Sequence, residues 1–176
     1  MRTLIVPLLV VVCAGCVSSN VVVKMTPPGG PEGAGKLSLA EVQVKDLRQP
    51  GVAASTREAA FGVPMGNISF DPPETQLVRN VLEFELTKRL REKGAVEKRT
   101  YTCDLAEFGV NTVTTPIYWD VVSRVRLVLK RNGKEYPLSG TSTERTFIWP
   151  GEPIIRRVVE ESMKQVASGL TPAVED

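Results

Sequence analysis

Between Val121 and Leu129 every second residue is apolar or small (Val121, Ser123, Val125, Leu127, Leu129), Arg124, Arg126 and Lys130 fall on the alternate positions, and the run ends in Asn132-Gly133. A period of two sends successive side chains to opposite faces, so this is a strand with one dry face and one wet face. Asn-Gly is the dipeptide of the two-residue type I′ turn, because both positions there need positive φ. The chain must therefore contain an antiparallel hairpin. The return strand, from about Lys134 to Trp149, has a Thr- and Ser-rich middle, Ser139 to Thr146, and reads as a solvent-facing or edge strand. Its dry face needs a cover from another layer.

Two segments have the spacing to supply it. In the first, Leu77, Val81 and Phe84 run beside Val78, Leu82, Leu86 and Leu90, with Arg79, Glu83, Lys88, Arg91 and Glu92 opposite. That is a wide apolar stripe at helical spacing. Asp71 is the expected N-cap, with Pro72 at the first helical position, Glu74 completing a capping box and Gly94 as the stop. The second follows the turn Pro150-Gly151-Glu152-Pro153. Its apolar face is Ile155, Val158, Val159, Ser162, Met163, Val166 and Leu170, and Gly169 and Pro172 mark its end.

The remaining elements are fainter. Val21-Val22-Val23 suggests a short strand, and Lys36 to Arg48 reads as a strand with a bulge at Ala40-Glu41, where the alternation changes phase. Tyr101, Cys103 and Leu105, followed by Phe108 and Val110, give another strand with a phase shift. Gln49 to Phe70, interrupted by Pro50, Gly51, Gly62, Pro64 and Gly66, reads as a long loop, a length that in compact domains is usually functional or mobile. The expected fold is α+β: a largely antiparallel sheet with two helices packed on one face.

The N-terminus carries a different message. Met1-Arg2-Thr3 precedes an apolar run from Leu4 to Val12 and then Cys13-Ala14-Gly15-Cys16. A positive residue, a short apolar stretch and small residues make a secretory signal, and the run is shorter than the roughly 20 residues a bilayer span needs. The ending resembles the lipobox of bacterial lipoproteins, although Cys13 stands where Leu is usual. That resemblance implies cleavage before Cys16, lipidation of Cys16 with acyl chains such as palmitate, and, since Val17 is not the Asp that retains such proteins in the inner membrane, an outer-membrane address at the periplasmic face. The alternative is an ordinary signal peptide cut near Gly15. The expected organisation is a signal peptide over 1–15, a lipidated N-terminus and flexible Ser/Pro/Gly tether over 16–35, and one domain over 36–176.

Composition narrows the chemistry. Hydrophobic residues at 42% and charged residues at 24% are ordinary globular values. With 22 basic and 20 acidic residues the chain carries +2 and no basic block, so nucleic acid is not an expected partner. There is no histidine. The commonest general base and commonest metal ligand are thereby missing, which excludes Ser-His-Asp triads and most zinc sites. Cys103 would be the lone thiol of the mature chain, expected to be buried and inert. Glu83 with Glu85 and Glu160 with Glu161 point apart on their helices and read as solvated surface. Asp104 and Glu107 beside Cys103 offer no better constellation, and Gly62-Val63-Pro64-Met65-Gly66 lacks the Lys-Ser/Thr of a phosphate loop. The expectation is a protein that is no enzyme, with no cofactor and no metal.

Pro116-Ile117-Tyr118-Trp119 draws attention instead. Rigid aromatics on a short connection anchor protein partners or sit at membrane interfaces. The competing reading is that they cap the open end of the core. Ile117, Tyr118 and Trp119 are the candidate contact residues, with the Gln49–Phe70 loop as a second surface, and Trp149 is expected to pack under the last helix.

The lipobox, the strand LAEVQVKDLR, the loop phrase FGVPMGN, the helix VRNVLEFELTKRL and the hairpin SRVRLVLKRNGKEY together resemble YajG-type lipoproteins over roughly Leu37 to Leu170. The pattern is also similar to the lipopolysaccharide-assembly partner LptE and to auxiliary lipoproteins of lipid-transporting ABC systems. The resemblance implies a membrane-anchored protein that binds or scaffolds another cell-envelope component. The alternative is an accessory subunit of envelope lipid or lipopolysaccharide transport that shields an acyl chain. No catalytic residue transfers, and Cys16 is the one position that does.

Overall fold

The computed structural model describes residues 20–26, 38–49, 55–58 and 63–175. Cys16, the signal and most of the tether lie outside them. The elements in chain order are β1 (Val21–Lys24), β2 (Ala40–Asp46), β3 (Ser55–Glu58), β4 (Pro64–Asp71), α1 (Glu74–Glu92), β5 (Arg99–Thr114), β6 (Trp119–Arg131), β7 (Lys134–Thr146), α2 (Glu152–Ser168) and α3 (Thr171–Glu175). The fold is α+β, as expected.

The β5–β6–β7 meander is its spine. Asn132 (φ 50°) and Gly133 (φ 76°) make the anticipated turn. Val121, Ser123, Val125, Leu127 and Leu129 of β6 are all buried. The phase shift in β5 is a real bulge: its register on β6 slips between Leu105 and Glu107. Both Leu105 and Phe108 thereby reach the same core.

The sheet is largely antiparallel, as expected, with parallel pairings added among its other strands. It is mixed and seven-stranded, ordered β1-β4-β3-β5-β6-β7, with β2 beside β5. β1 on β4, β2 on β5 and β3 on β5 are parallel. β2 pairs residue for residue with Arg99–Leu105, so no bulge occurs at Ala40-Glu41. Gln49–Phe70 is not one loop, because it contains β3 and β4. The buried positions of β3 are Ser55 and Arg57, which no apolar alternation could announce.

α1 starts later than its sequence suggests. Asp71 belongs to β4, paired with Lys24, and Pro73 is the N-cap with no side-chain cap bond. Glu74 lies 3.9 Å from the Arg48 guanidinium rather than closing a capping box. The stripe itself holds: Leu77, Val78, Leu82, Leu86 and Leu90 are buried. Phe84, expected within it, is exposed. At the far end Gly94 turns at φ 73°, and Ala95 N–H closes on Leu90 C=O at 2.9 Å.

Both helices cover the dry face and also guard strand edges. Backbone N–H groups of Ala40 and Val42, on the edge of β2 away from β5, donate to Thr87 Oγ1 (3.2 Å) and Glu83 Oε1 (3.0 Å) of α1. On β7, Thr141 N–H donates to Gln165 Oε1 of α2 at 3.0 Å. Edges satisfied by helix side chains are poor templates for aggregation. α2 touches β7, β6 and β1, so the sheet curls around it. Past Gly169, Pro172 opens the short helix α3 rather than merely ending α2.

An aromatic end of the sheet as candidate functional site

Trp119, the first residue of β6, pairs with Thr146, the last of β7. That register brings two connections to one end of the molecule: the β5–β6 turn and the segment Phe147–Gly151 that leads into α2. Each is fixed by a threonine. Thr115 Oγ1 accepts from Tyr118 N–H at 3.0 Å and donates to Tyr118 C=O at 2.9 Å. Thr146 Oγ1 accepts from Ile148 N–H at 3.2 Å and donates to Ile148 C=O at 3.1 Å. These bonds fix the backbone of both connections, which lowers the ordering cost of any contact made there.

Ile117, Phe147 and Ile148 are each at least 70% exposed, and Val113 and Trp149 are exposed beside them. The rings pack on one another edge-on, Tyr118 against Phe147 at 6.2 Å and Trp119 against Trp149 at 5.8 Å between centroids. The Arg145 guanidinium lies 3.8 Å over the Tyr118 ring while Nε and Nη2 donate to Asp120 at 2.8 and 3.1 Å. Those hydrogen bonds hold the Asp120 carboxyl below its ordinary range and raise Arg145. From beneath, the buried Arg57 sits 5.2 Å from the Trp149 ring and donates from Nη1 to Pro150 C=O. Scattered exposed apolar side chains are normal; several on two neighbouring connections, beside an ion pair, make this end the candidate contact surface.

The three sequence candidates are thus brought together, in unequal roles. Ile117 projects freely. Tyr118 and Trp119 are half-buried, and the Trp119 indole N–H has no acceptor among the described residues. Trp149 does not pack under the last helix; its ring joins Trp119 at the surface. Phe147, Ile148 and Arg145 were missed. The signal for Phe147 and Ile148 was the apolar run Phe147-Ile148-Trp149 ahead of Pro150, which reads equally well as the end of a buried strand; Arg145 left none.

Elsewhere the titratable side chains serve structure. Lys130 bridges Asp104 (2.9 Å) and Glu135 (2.8 Å), Arg126 meets Glu107, Arg157 meets Glu144, and Glu83 caps the β2 edge. Burial, helped by Asp104, pushes the Cys103 thiol up to about 12, so it stays protonated and unreactive. Among the described residues no three of Cys, Asp and Glu cluster as metal ligands, and no helix is long and apolar enough to cross a membrane. Two surface grooves flank α2. One, of about 400 Å³, is polar and runs between β7 and α2 along Glu144, Arg157 and Lys164. The other, of about 290 Å³, lies between α1 and α2 over Leu77, Val81, Met163 and Ala167, with Met25 at its side.

No protein-family model and no curated protein matches the chain. A solved structure described as the crystal structure of an uncharacterized protein is similar at 13% identity and a TM-score of 0.43, over 89% of this chain and 98% of that one.

Proposed function

We propose that this chain is a lipid-anchored, non-catalytic protein of the bacterial cell envelope, tethered through Cys16 at the periplasmic face of the outer membrane. It works by binding or scaffolding another envelope component, in the manner of the YajG-type lipoproteins it resembles. The observation that carries this reading is the exposed aromatic end: Ile117, Phe147, Ile148 and Trp149 present apolar surface on two pinned turns. The charged side chains beside them form an ion pair, Asp120 with Arg145, and do not converge on an empty site. Photo-crosslinking residues placed at Ile117 or Phe147 in intact cells should form adducts with envelope components. The same residue at Asn132, at the opposite end of β6, should not. Equal labelling at both ends would defeat the reading.

The groove over Leu77, Val81 and Met163 supports a second reading, an accessory subunit of lipid transport that shields an acyl chain. Native mass spectrometry that finds no lipid on the detergent-free domain would count against it.

A further inference from the structure

Asn20, four residues after the expected anchor, enters the sheet nearer its aromatic end than its hairpin end. Asn20 Oδ1 accepts the Asn67 N–H at 3.1 Å, which fixes the entry to β1 at the level of Asn67. Register carries that level across the sheet: Asn67 faces Thr56, Thr56 faces Asn111, and Asn111 faces Val122. From Val122, Tyr118 is four residues away along β6 and Asn132 is ten residues away in the other direction. At strand rise these are about 13 Å and about 33 Å. Cys16 precedes Asn20 by four residues, which span at most about 14 Å when fully extended. Cys16 can therefore reach the level of the aromatic end but not that of the hairpin end, so a bilayer holding its lipids meets the aromatic end when the sheet stands upright on it.

The chemistry of that end suits the same occupant. Exposed Ile and Phe side chains beside Trp and Tyr rings with one polar edge are the composition of a membrane–water interface, where apolar side chains enter the acyl boundary and Trp and Tyr sit among headgroups. The adjacent charges, Asp120 and Arg145, neutralise each other. Apolar insertion into a zwitterionic surface is thus the fitting mode, rather than attraction to anionic lipid.

We infer that the aromatic end docks on the lipid surface that carries the anchor, with Ile117, Phe147 and Ile148 entering the interface and Tyr118, Trp119 and Trp149 at headgroup level. This rests on lipidation of Cys16 as proposed above, and it names the component that the aromatic end contacts. Two or more acyl chains already hold a protein stably on a membrane, so the docking sets orientation. It stands β6 upright and carries the Asn132-Gly133 turn about 45 Å from the bilayer.

The chain's 2 tryptophans, Trp119 and Trp149, both belong to this end and report on it without labelling. Full-length lipoprotein is reconstituted into phosphatidylcholine–phosphatidylethanolamine vesicles whose acyl chains are brominated near the glycerol. Tryptophan emission should shift to the blue and be quenched relative to unbrominated vesicles. The double variant Phe147→Ser, Ile148→Ser alters exposed side chains only. It should still float with the vesicles and melt like wild type while losing the quenching. Flotation without quenching in the wild type overturns the docking and leaves the anchor standing, and a protein crosslinked at Phe147 in that case makes the end a protein site. Quenching that survives in the double variant places another surface on the bilayer and also overturns it. Failure to float sinks the anchor and the docking together.

Discussion

Gly140 is where α2 meets the sheet most closely. A Cβ built on it would lie 2.0 Å from the Ser162 carbonyl oxygen and 2.8 Å from its carbonyl carbon. Both atoms are backbone in mid-helix, and neither can rotate away. Ser162 itself is wholly buried, with its hydroxyl donating to Val158 C=O at 2.8 Å. To admit a methyl group the helix must withdraw by about 1 Å or more, and Ile155, Val158, Val159 and Val166, all buried, must move with it. Overpacking of a filled core costs roughly 1–3 kcal/mol. A clash with backbone on both sides belongs at the upper end, so Gly140→Ala should lose about 3 kcal/mol, or roughly 6–12 °C in melting temperature for a domain of this size. Gly109 is the internal control. It also lies in a strand, but a Cβ there meets nothing within 4 Å. Gly109→Ala should change stability by no more than about 0.5 kcal/mol. Urea titrations followed by circular dichroism give both values. Wild-type stability in Gly140→Ala, or an equal loss in both variants, would refute the close approach of α2 to β7.

Leu82→Ala and Leu86→Ala each empty a fully buried position of α1 and should cost about 2–5 kcal/mol in urea melts, whereas Arg79→Ala on the exposed side should stay within about 0.5 kcal/mol. Cys103 should resist a thiol-specific alkylating reagent at pH 8 in the folded protein and react readily in denaturant; rapid labelling of the folded state would show that it is not buried. Because its pKa is raised on folding from the ordinary 9.0 to about 12, its linkage contribution is full below pH 9. That contribution is lost as pH rises between these values. Cys103→Ala should therefore soften the alkaline decline in stability, and an unchanged decline would contradict the shift.

What could be read from the sequence was what is encoded locally. The α1 stripe recurs at helical spacing within one segment, and Asn132-Gly133 fixes the turn by its own backbone preference, so both elements were legible. Caps and short strands were not. Asp71-Pro72 carries the signature of a helix start, yet Asp71 is taken by pairing with Lys24 across the sheet, a partner 47 residues away in the chain. β3 hid because its inward residues are Ser55 and Arg57, which earn their burial through Val110 N–H and Pro150 C=O. Parallel pairings such as β2 on β5 are set by crossovers that leave no local mark. The candidate site was half visible for the same reason. Ile117-Tyr118-Trp119 stands out as a dense aromatic connection, but Phe147 and Ile148 join it through the β6–β7 register, which is a property of the assembled hairpin.

The proposal of a tethered domain turns most directly on the chemical state of the N-terminus. Intact mass and fragmentation of the protein extracted from membranes should show a chain beginning at Cys16, with a diacylglyceryl thioether on its sulfur. A mature chain that begins elsewhere, or begins at Cys16 with a free thiol, would contradict the account, because nothing would then hold the aromatic end against the lipid surface.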